Sequence, residues 1–293
     1  MYQQELKIAI GAVNAVRDLI LEIYNSSDMG VEIKSDNSPV TKADKKADEV
    51  IRKILKENFP NYALLTEESL DDKRRLQNDY VWIVDPIDGT KDFVAKNGEF
   101  TVNIGLSYKH EAVLGVILIP VTGEIYFATK NDGSFYMKNK DTKPVRIHCN
   151  NKVENVTTLV SRFHTNLREQ NMIKKHSNVI KFQKTVGATI KGCVIARGLA
   201  EMSYRFSSNT KEWDTCAMQV IVEQAGGFIL KFDGTPIKYN REDVYNRDGY
   251  VIVNKKENFL LWSRLFTCLY SILEHFVLKY FYIQSFKEAT NEN

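Results

Sequence analysis

The run Val81-Trp82-Ile83-Val84-Asp85-Pro86-Ile87-Asp88-Gly89-Thr90 decides how this chain is read. Its first four residues are apolar and lead into a carboxylate, the pattern of a buried strand that ends at a core boundary. Pro86 and Gly89 forbid a regular continuation as strand or helix. Such a turn can aim Asp85, the Ile87 carbonyl and Asp88 at one point, and hard oxygens converging on a point suit Mg²⁺. The backbone amides around Gly89 and Thr90 are then free to face an anion. A cation beside an anion points to phosphate chemistry.

Upstream of this run, Leu6, Ala9, Ile10, Val13, Val16, Ile20 and Ile23 fall at helical spacing and predict an amphipathic helix. Residues 34–39 are polar and end in proline, which reads as a loop. Thr41 is placed as the N-cap of a second helix with Ala47, Ile51, Ile54 and Leu55 on its inner face and Asp44 in its first turn. A third element ends at Leu65-Thr66-Glu67-Glu68. Downstream, strands are expected at Val81–Asp85, Thr101–Ser107, Ala112–Ile119 and Glu124–Thr129, punctuated by Gly115, Pro120 and Gly123.

From about residue 154 the pattern alternates: strands at Val156–Val160, Val179–Val186, Met202–Phe206, Phe228–Phe232 and Tyr250–Val253, and helices at Leu167–Lys175, Ile190–Ala200 and Asp214–Ala225. The expected class is therefore α/β, with an α+β first half on a largely antiparallel sheet and an α/β second half. Residues 1–150 are read as an α+β metal-binding domain and 151–256 as an α/β domain closing the site, with 257–293 as a C-terminal helical extension. A cleft between the halves is the natural place for a small molecule.

With 293 residues the chain can bury a large core, and a net charge of +3 gives no argument for polymeric nucleic acid as a partner. Cys149, Cys193, Cys216 and Cys268 show no zinc spacing and no disulfide framework, so a reducing cytoplasm is the expected compartment. Arg264, Glu274, His275 and Lys279 interrupt the apolar C-terminal stretch, which is expected to dock as a helix on the core or on a second subunit rather than span a membrane. A monomer or a homodimer fits equally.

Carboxylates beside turns or helix starts recur at Asp44, Glu67-Glu68, Asp85/Asp88 and Asp214. Hydrolysis of a phosphate ester needs an activated water, a stabilised leaving oxygen and neutralised phosphoryl oxygens, all within the reach of two or three Mg²⁺ ions. A Thr hydroxyl polarised by an Asp can orient and deprotonate the attacking water, and Thr90 with Asp44 is the candidate pair. Singly, each has a plainer reading: Asp44 as a dipole-favoured first-turn residue, Asp214 as a cap, Glu68 as a solvated face, the Asp-Pro turn as only a turn.

Together and in order, Val40-Thr41-Lys42-Ala43-Asp44, Thr66-Glu67-Glu68-Ser69, Trp82–Thr90 and Trp213-Asp214 followed by Gly226-Gly227 resemble the signatures of the inositol monophosphatase superfamily. The resemblance spans roughly residues 5 to 255 and implies a Mg²⁺-dependent, lithium-sensitive phosphatase built of alternating layers, αβαβα. It implies metal ligands at Glu67, Asp85, Ile87 (through its carbonyl), Asp88 and Asp214, phosphate contacts at Gly89 and Thr90, and water activation by Asp44 and Thr90.

Within that family, Lys91-Asp92-Phe93, Asn97–Ile104 and Ser161–His164 are similar to the CysQ-type 3'(2'),5'-bisphosphate nucleotidases. Lys191 and Arg205 match positions that there meet the nucleotide and its second phosphate, and Lys91 and His164 join them as substrate-binding candidates. A second dianion that no metal neutralises calls for cationic side chains. Ala188 stands where those nucleotidases usually have a serine, so one hydroxyl contact is expected to be either absent or supplied by Thr189. The expected activity is removal of the 3'-phosphate of adenosine 3',5'-bisphosphate to give AMP. The nearest alternative is an inositol-1-phosphatase with the same metals, and a rival from another class is a non-catalytic nucleotide- or lithium-sensing module.

Overall fold

The computed structural model describes residues 1–164 and 166–259. The helical extension expected over 257–293 lies, from residue 260 onward, outside the described residues.

In chain order the first half runs α1 (Gln3–Asn25), β1 (Glu32–Ile33), β2 (Pro39–Val40), α2 (Lys42–Asn58), β3 (Ala63–Thr66), a 3-10 turn (Arg74–Gln77), β4 (Tyr80–Asp88), α3 (Thr90–Val94), β5 (Thr101–Tyr108), β6 (Glu111–Ile119), β7 (Glu124–Thr129), β8 (Gly133–Met137) and β9 (Val145–Ile147). The second half runs β10 (Val156–Val160), α4 (Leu167–Lys175), β11 (Ile180–Thr185), α5 (Ile190–Ala196), β12 (Met202–Arg205), α6 (Glu212–Gln224), β13 (Phe228–Leu230) and β14 (Tyr250–Val253).

The larger sheet has seven strands in the order β3-β4-β5-β6-β7-β8-β9. Only its β3–β4 pair is parallel, and the rest are antiparallel as the hairpin spacing predicts. The smaller sheet, β11-β10-β12-β14-β13, is mixed: β10 runs parallel to β11 and β12, and β14 runs antiparallel to β12 and β13.

Alternation along the strands sorts the side chains into layers. Trp82, Val84, Val102, Ile104, Val116 and Leu118 face one way and pack on Val13, Val16 and Ile20 of α1 and Ala47, Ile51 and Leu55 of α2. Val81, Ile83, Ile117 and Ile119 face the other way, onto Trp213, Ala217, Val220 and Ile221 of α6 and Cys193 and Ile195 of α5. The same cluster takes in Leu159, Ile229 and Ile252 of the smaller sheet. Beyond that sheet, Val156, Met202 and Val251 pack on Met172 of α4. The order is helices, sheet, helices, sheet, helix: the five alternating layers of the expected α/β class.

Two details correct the local reading. Gly115 does not punctuate: it lies mid-strand in β6, paired with Gly105 of β5. A Cβ on Gly115 would meet the Ala217 carbonyl oxygen at 2.1 Å, and one on Gly105 would meet Cys216 Sγ at 2.6 Å. The glycine pair is a slot into which α6 settles close to the sheet. The 34–39 loop is the connection of a short antiparallel hairpin, with Glu32 opposite Val40 and Ile33 opposite Pro39.

Candidate active site

Asp85 and Asp88 stand at the end of β4, where the register against β5 breaks between them. That irregularity comes from the Pro86 turn, which turns both carboxylates toward the head of α6. Asp214 sits in the first turn of α6, where its side chain accepts a bond from the Lys211 amide. One oxygen from each of Asp85, Asp88 and Asp214 lies within 4.8 Å of the others. Asp214 is thus both the cap that its position predicts and a member of the cluster.

The remaining bonds define what each carboxylate offers. Asp85 Oδ1 accepts from the Ile87 amide at 3.1 Å, while Asp85 Oδ2 is buried with no partner among the described residues. Asp88 Oδ2 accepts from the Thr189 amide at 2.6 Å, a contact made from the second half of the chain. Burial pushes the Asp85 carboxyl well above its ordinary range, and neighbouring Glu67, Asp88 and Asp214 push it further. Burial, then Asp88 and Glu67, raise Asp214 to about 8. Asp88 is also raised by burial, against the pull of Lys191. Three crowded carboxylates that prefer to keep protons are a site short of positive charge. An all-oxygen donor set with an unpartnered buried Asp85 oxygen fits a hard divalent cation such as Mg²⁺.

Glu67, just beyond β3, is turned to lysines: its Oε1 lies 3.1 Å from Lys34 Nζ and 4.0 Å from Lys211 Nζ. Glu68 also bonds Lys34 and is nearly covered, so it is no solvated face; burial raises its carboxyl to about 7. The Ile87 carbonyl accepts from Thr90 Oγ1 at 3.3 Å. Thr90 Oγ1 also lies 3.2 Å from Asp44 Oδ1. The other oxygen of Asp44 closes a capping box with the Thr41 amide and hydroxyl at the head of α2. Asp44 is buried and its carboxyl is raised, burial being the main cause. Gly89 takes a left-handed conformation (φ 90°) and opens α3 at Thr90. The first amides of that turn have no intrahelical acceptor.

The same cleft also carries basic groups. Lys191 is buried on α5 rather than on a solvated helix face, and its ammonium donates to the carbonyls of Val186 (3.0 Å) and Ala188 (2.8 Å). Burial and then Arg205 lower it to about 8. Arg205, at the end of β12, donates to the His164 carbonyl at 3.0 Å. Lys91 Nζ lies 3.4 Å from His164 Nε2. Burial, then Arg205 and Lys91, lower His164 to about 4, so its ring is neutral near pH 7. All four line the same cleft of about 410 Å³ as Glu67, Asp85, Asp88, Gly89, Thr90 and Asp214. The Thr189 hydroxyl is not free for a ligand: it donates to Asn103 Oδ1 at 2.9 Å and lies 2.6 Å from the Thr101 hydroxyl. Lys34, Lys211 and Asn103 escaped the sequence reading. Lys211 could have been found from its place three residues before Asp214, at an N-cap.

A family model described as the inositol monophosphatase family matches residues 1–272. This chain belongs to the inositol monophosphatase family. It is 34% identical over 223 residues to the 3'(2'),5'-bisphosphate nucleotidase CysQ of Buchnera aphidicola, a match covering 75% of this chain and 82% of that one. It is 30% identical over 244 residues to the CysQ of Escherichia coli K12, covering 80% and 93%. Among solved structures it is similar to CysQ from Bacteroides thetaiotaomicron, with a TM-score of 0.75, 34% identity and coverage of 87% and 99%. An inositol monophosphatase from Thermotoga maritima, at 20% identity and a TM-score of 0.74, shares the fold.

Proposed function

We propose that this family member is a Mg²⁺-dependent phosphomonoesterase that removes the 3'-phosphate of adenosine 3',5'-bisphosphate, releasing AMP and inorganic phosphate. The observation that carries the reading is that one cleft brings together the acidic Asp85–Asp88–Asp214 cluster, suited to metal, and the basic Lys91, Lys191 and Arg205. The similarity to CysQ nucleotidases at 30–34% identity supports the same substrate class.

Glu67, Asp85, Asp88 and Asp214, with the Ile87 carbonyl, would hold two or three Mg²⁺ ions. Bound Mg²⁺ supplies Lewis-acid neutralisation of the phosphoryl and leaving oxygens. The chain's own groups do the rest. The first-turn amides at Gly89 and Thr90 orient the scissile phosphate. Thr90 Oγ1 hands its proton to Asp44 Oδ1 as it takes one from the attacking water. The bond from the water oxygen to phosphorus forms as the ester P–O3' bond breaks, and the departing 3'-oxygen takes a proton from a solvent water. Two of the three Lys191 N–H groups serve loop carbonyls and one is left for the substrate's other phosphate. Arg205, held at 3.0 Å by the His164 carbonyl and 3.9 Å from Glu169 Oε1, adds its charge toward that phosphate. Residues 1–150 would supply Glu67, Asp85, Ile87, Asp88 and Lys91, and residues 151–256 Asp214, Lys191 and Arg205, so catalysis requires both.

The test is phosphate release by the purified chain from adenosine 3',5'-bisphosphate, inositol 1-phosphate and fructose 1,6-bisphosphate, with and without Mg²⁺. The nucleotide should be preferred and Asp85→Asn should abolish turnover. Preference for inositol 1-phosphate refutes the substrate, and turnover unaffected by Asp85→Asn refutes the mechanism.

A further inference from the structure

Glu67 stands apart from the other carboxylates because lysines from both halves of the chain meet it. Lys34 rides on the β1–β2 hairpin and also bonds Glu68. Lys211 is held more rigidly. Its amide donates to Asp214, its carbonyl accepts from Asn246 Nδ2 at 2.9 Å, and it bridges in antiparallel fashion to Tyr245. Its ammonium lies 5.2 Å from the Trp213 ring centroid and 5.5 Å from that of Tyr245. The side chain, 16% exposed, ends 4.0 Å from Glu67 Oε1 and 3.7 Å from Asp36 Oδ2 on the hairpin.

We propose that Lys211 is a resident cation of this acidic site, a positioning residue whose ammonium lies between Glu67 and Asp36 where a further divalent ion would otherwise be drawn. The inference rests on the reading that the cluster binds Mg²⁺. An outer ion there would have few protein ligands and would lose its translational freedom on binding, whereas a tethered ammonium has already lost that freedom. One positive charge about 4 Å from both carboxylates also repels a second cation at that place. Divalent ions are thereby directed to the Asp85, Asp88 and Asp214 side, and the hairpin is drawn toward the head of α6.

Calorimetric titration of MgCl₂ into the full chain without substrate tests this, using wild type, Lys211→Met and Lys211→Arg. Lys211→Met should bind one more Mg²⁺ per chain, or bind its weakest Mg²⁺ at least about ten-fold more tightly. Lys211→Arg, which keeps the charge, should follow wild type. Identical isotherms for wild type and Lys211→Met overturn the inference, whatever happens to the melting temperature. So does a Lys211→Arg isotherm that follows Lys211→Met. If Lys211→Met does not fold, Lys211→Gln carries the same comparison. A wild type that binds no Mg²⁺ overturns the metal reading of the cleft, and the inference with it.

Discussion

Replacing Gly115 by alanine should damage stability and activity together, because one glycine slot sets the distance between α6 and the larger sheet. The added Cβ would lie 2.1 Å from the Ala217 carbonyl oxygen and 2.8 Å from the Ala217 Cα. Carbon–oxygen contacts of this kind settle near about 3.3 Å, so α6 must retreat by roughly 1 Å. The obstacle is helix backbone, which no rotamer change removes. Overpacking typically costs about 1–3 kcal/mol, and a rigid obstacle puts Gly115→Ala at the top of that range. Asp214 lies one turn N-terminal to Ala217 on the same helix. Its carboxylate would move away from Asp85 and Asp88, and a displacement of about 1 Å at a reacting centre can lower the rate by about 100-fold. Urea denaturation gives the first quantity and Mg²⁺-dependent phosphate release the second. Unchanged stability and unchanged turnover in Gly115→Ala would refute the slot as the device that places Asp214.

Gly11, mid-helix on the exposed side of α1, should behave oppositely. A Cβ added there meets none of the described residues within 4 Å, so Gly11→Ala should stabilise by about 0.5–1 kcal/mol in the same denaturation assay. The metal-free protein should lose stability as pH rises, because Asp214, raised to about 8, keeps in the folded state a proton that the unfolded chain releases near its ordinary value of 3.8. That stabilisation is full below the unfolded value and is lost as pH climbs toward the folded one, so the melting temperature in EDTA should fall between roughly pH 4 and 8 and Asp214→Asn should flatten the fall. The rise in melting temperature on adding Mg²⁺ should grow with pH across the same window, since the metal competes with those protons; a larger rise at low pH would contradict it. Glu212, fully buried, accepts from the amides of Asn240 (2.6 Å) and Arg241 (2.8 Å) and pairs with the Arg241 guanidinium at 3.2 Å. Glu212→Ala should cost about 1–3 kcal/mol per stranded amide in chemical denaturation, because the amides of Asn240 and Arg241 lose their acceptor, while the half-buried Arg241 guanidinium keeps the Val244 and Tyr245 carbonyls and Asn246.

Elements with a strong period were legible in the chain itself. Glu124–Thr129, Val156–Val160, Leu167–Lys175 and Tyr250–Val253 have the bounds that their patterns predict, and Thr41 caps α2 as its side chain predicts. Strands β8 and β9 were not legible. Both include small or exposed residues, and β9 leaves Val145 and Arg146 in solvent, so their pairing comes from the sheet edge rather than from apolar alternation. Gly115 was misread for a related reason: a glycine in a strand looks like punctuation until the neighbour that needs the space is known.

Short-range pattern was enough for the α/β class and the turn at Asp85–Thr90, because period, proline and glycine act within a few residues, while the layering and the family came from the resemblance of four ordered motifs. It was not enough for the closing of Asp214 on Asp85 and Asp88, for the Thr189 amide spent on Asp88, or for the meeting of Lys34 and Lys211 at Glu67. Those contacts exist only in the folded molecule, since they join residues far apart in the chain. The placing of Asp214 and Lys211 depends further on how closely α6 approaches a sheet opened by Gly105 and Gly115, a distance that no local pattern encodes.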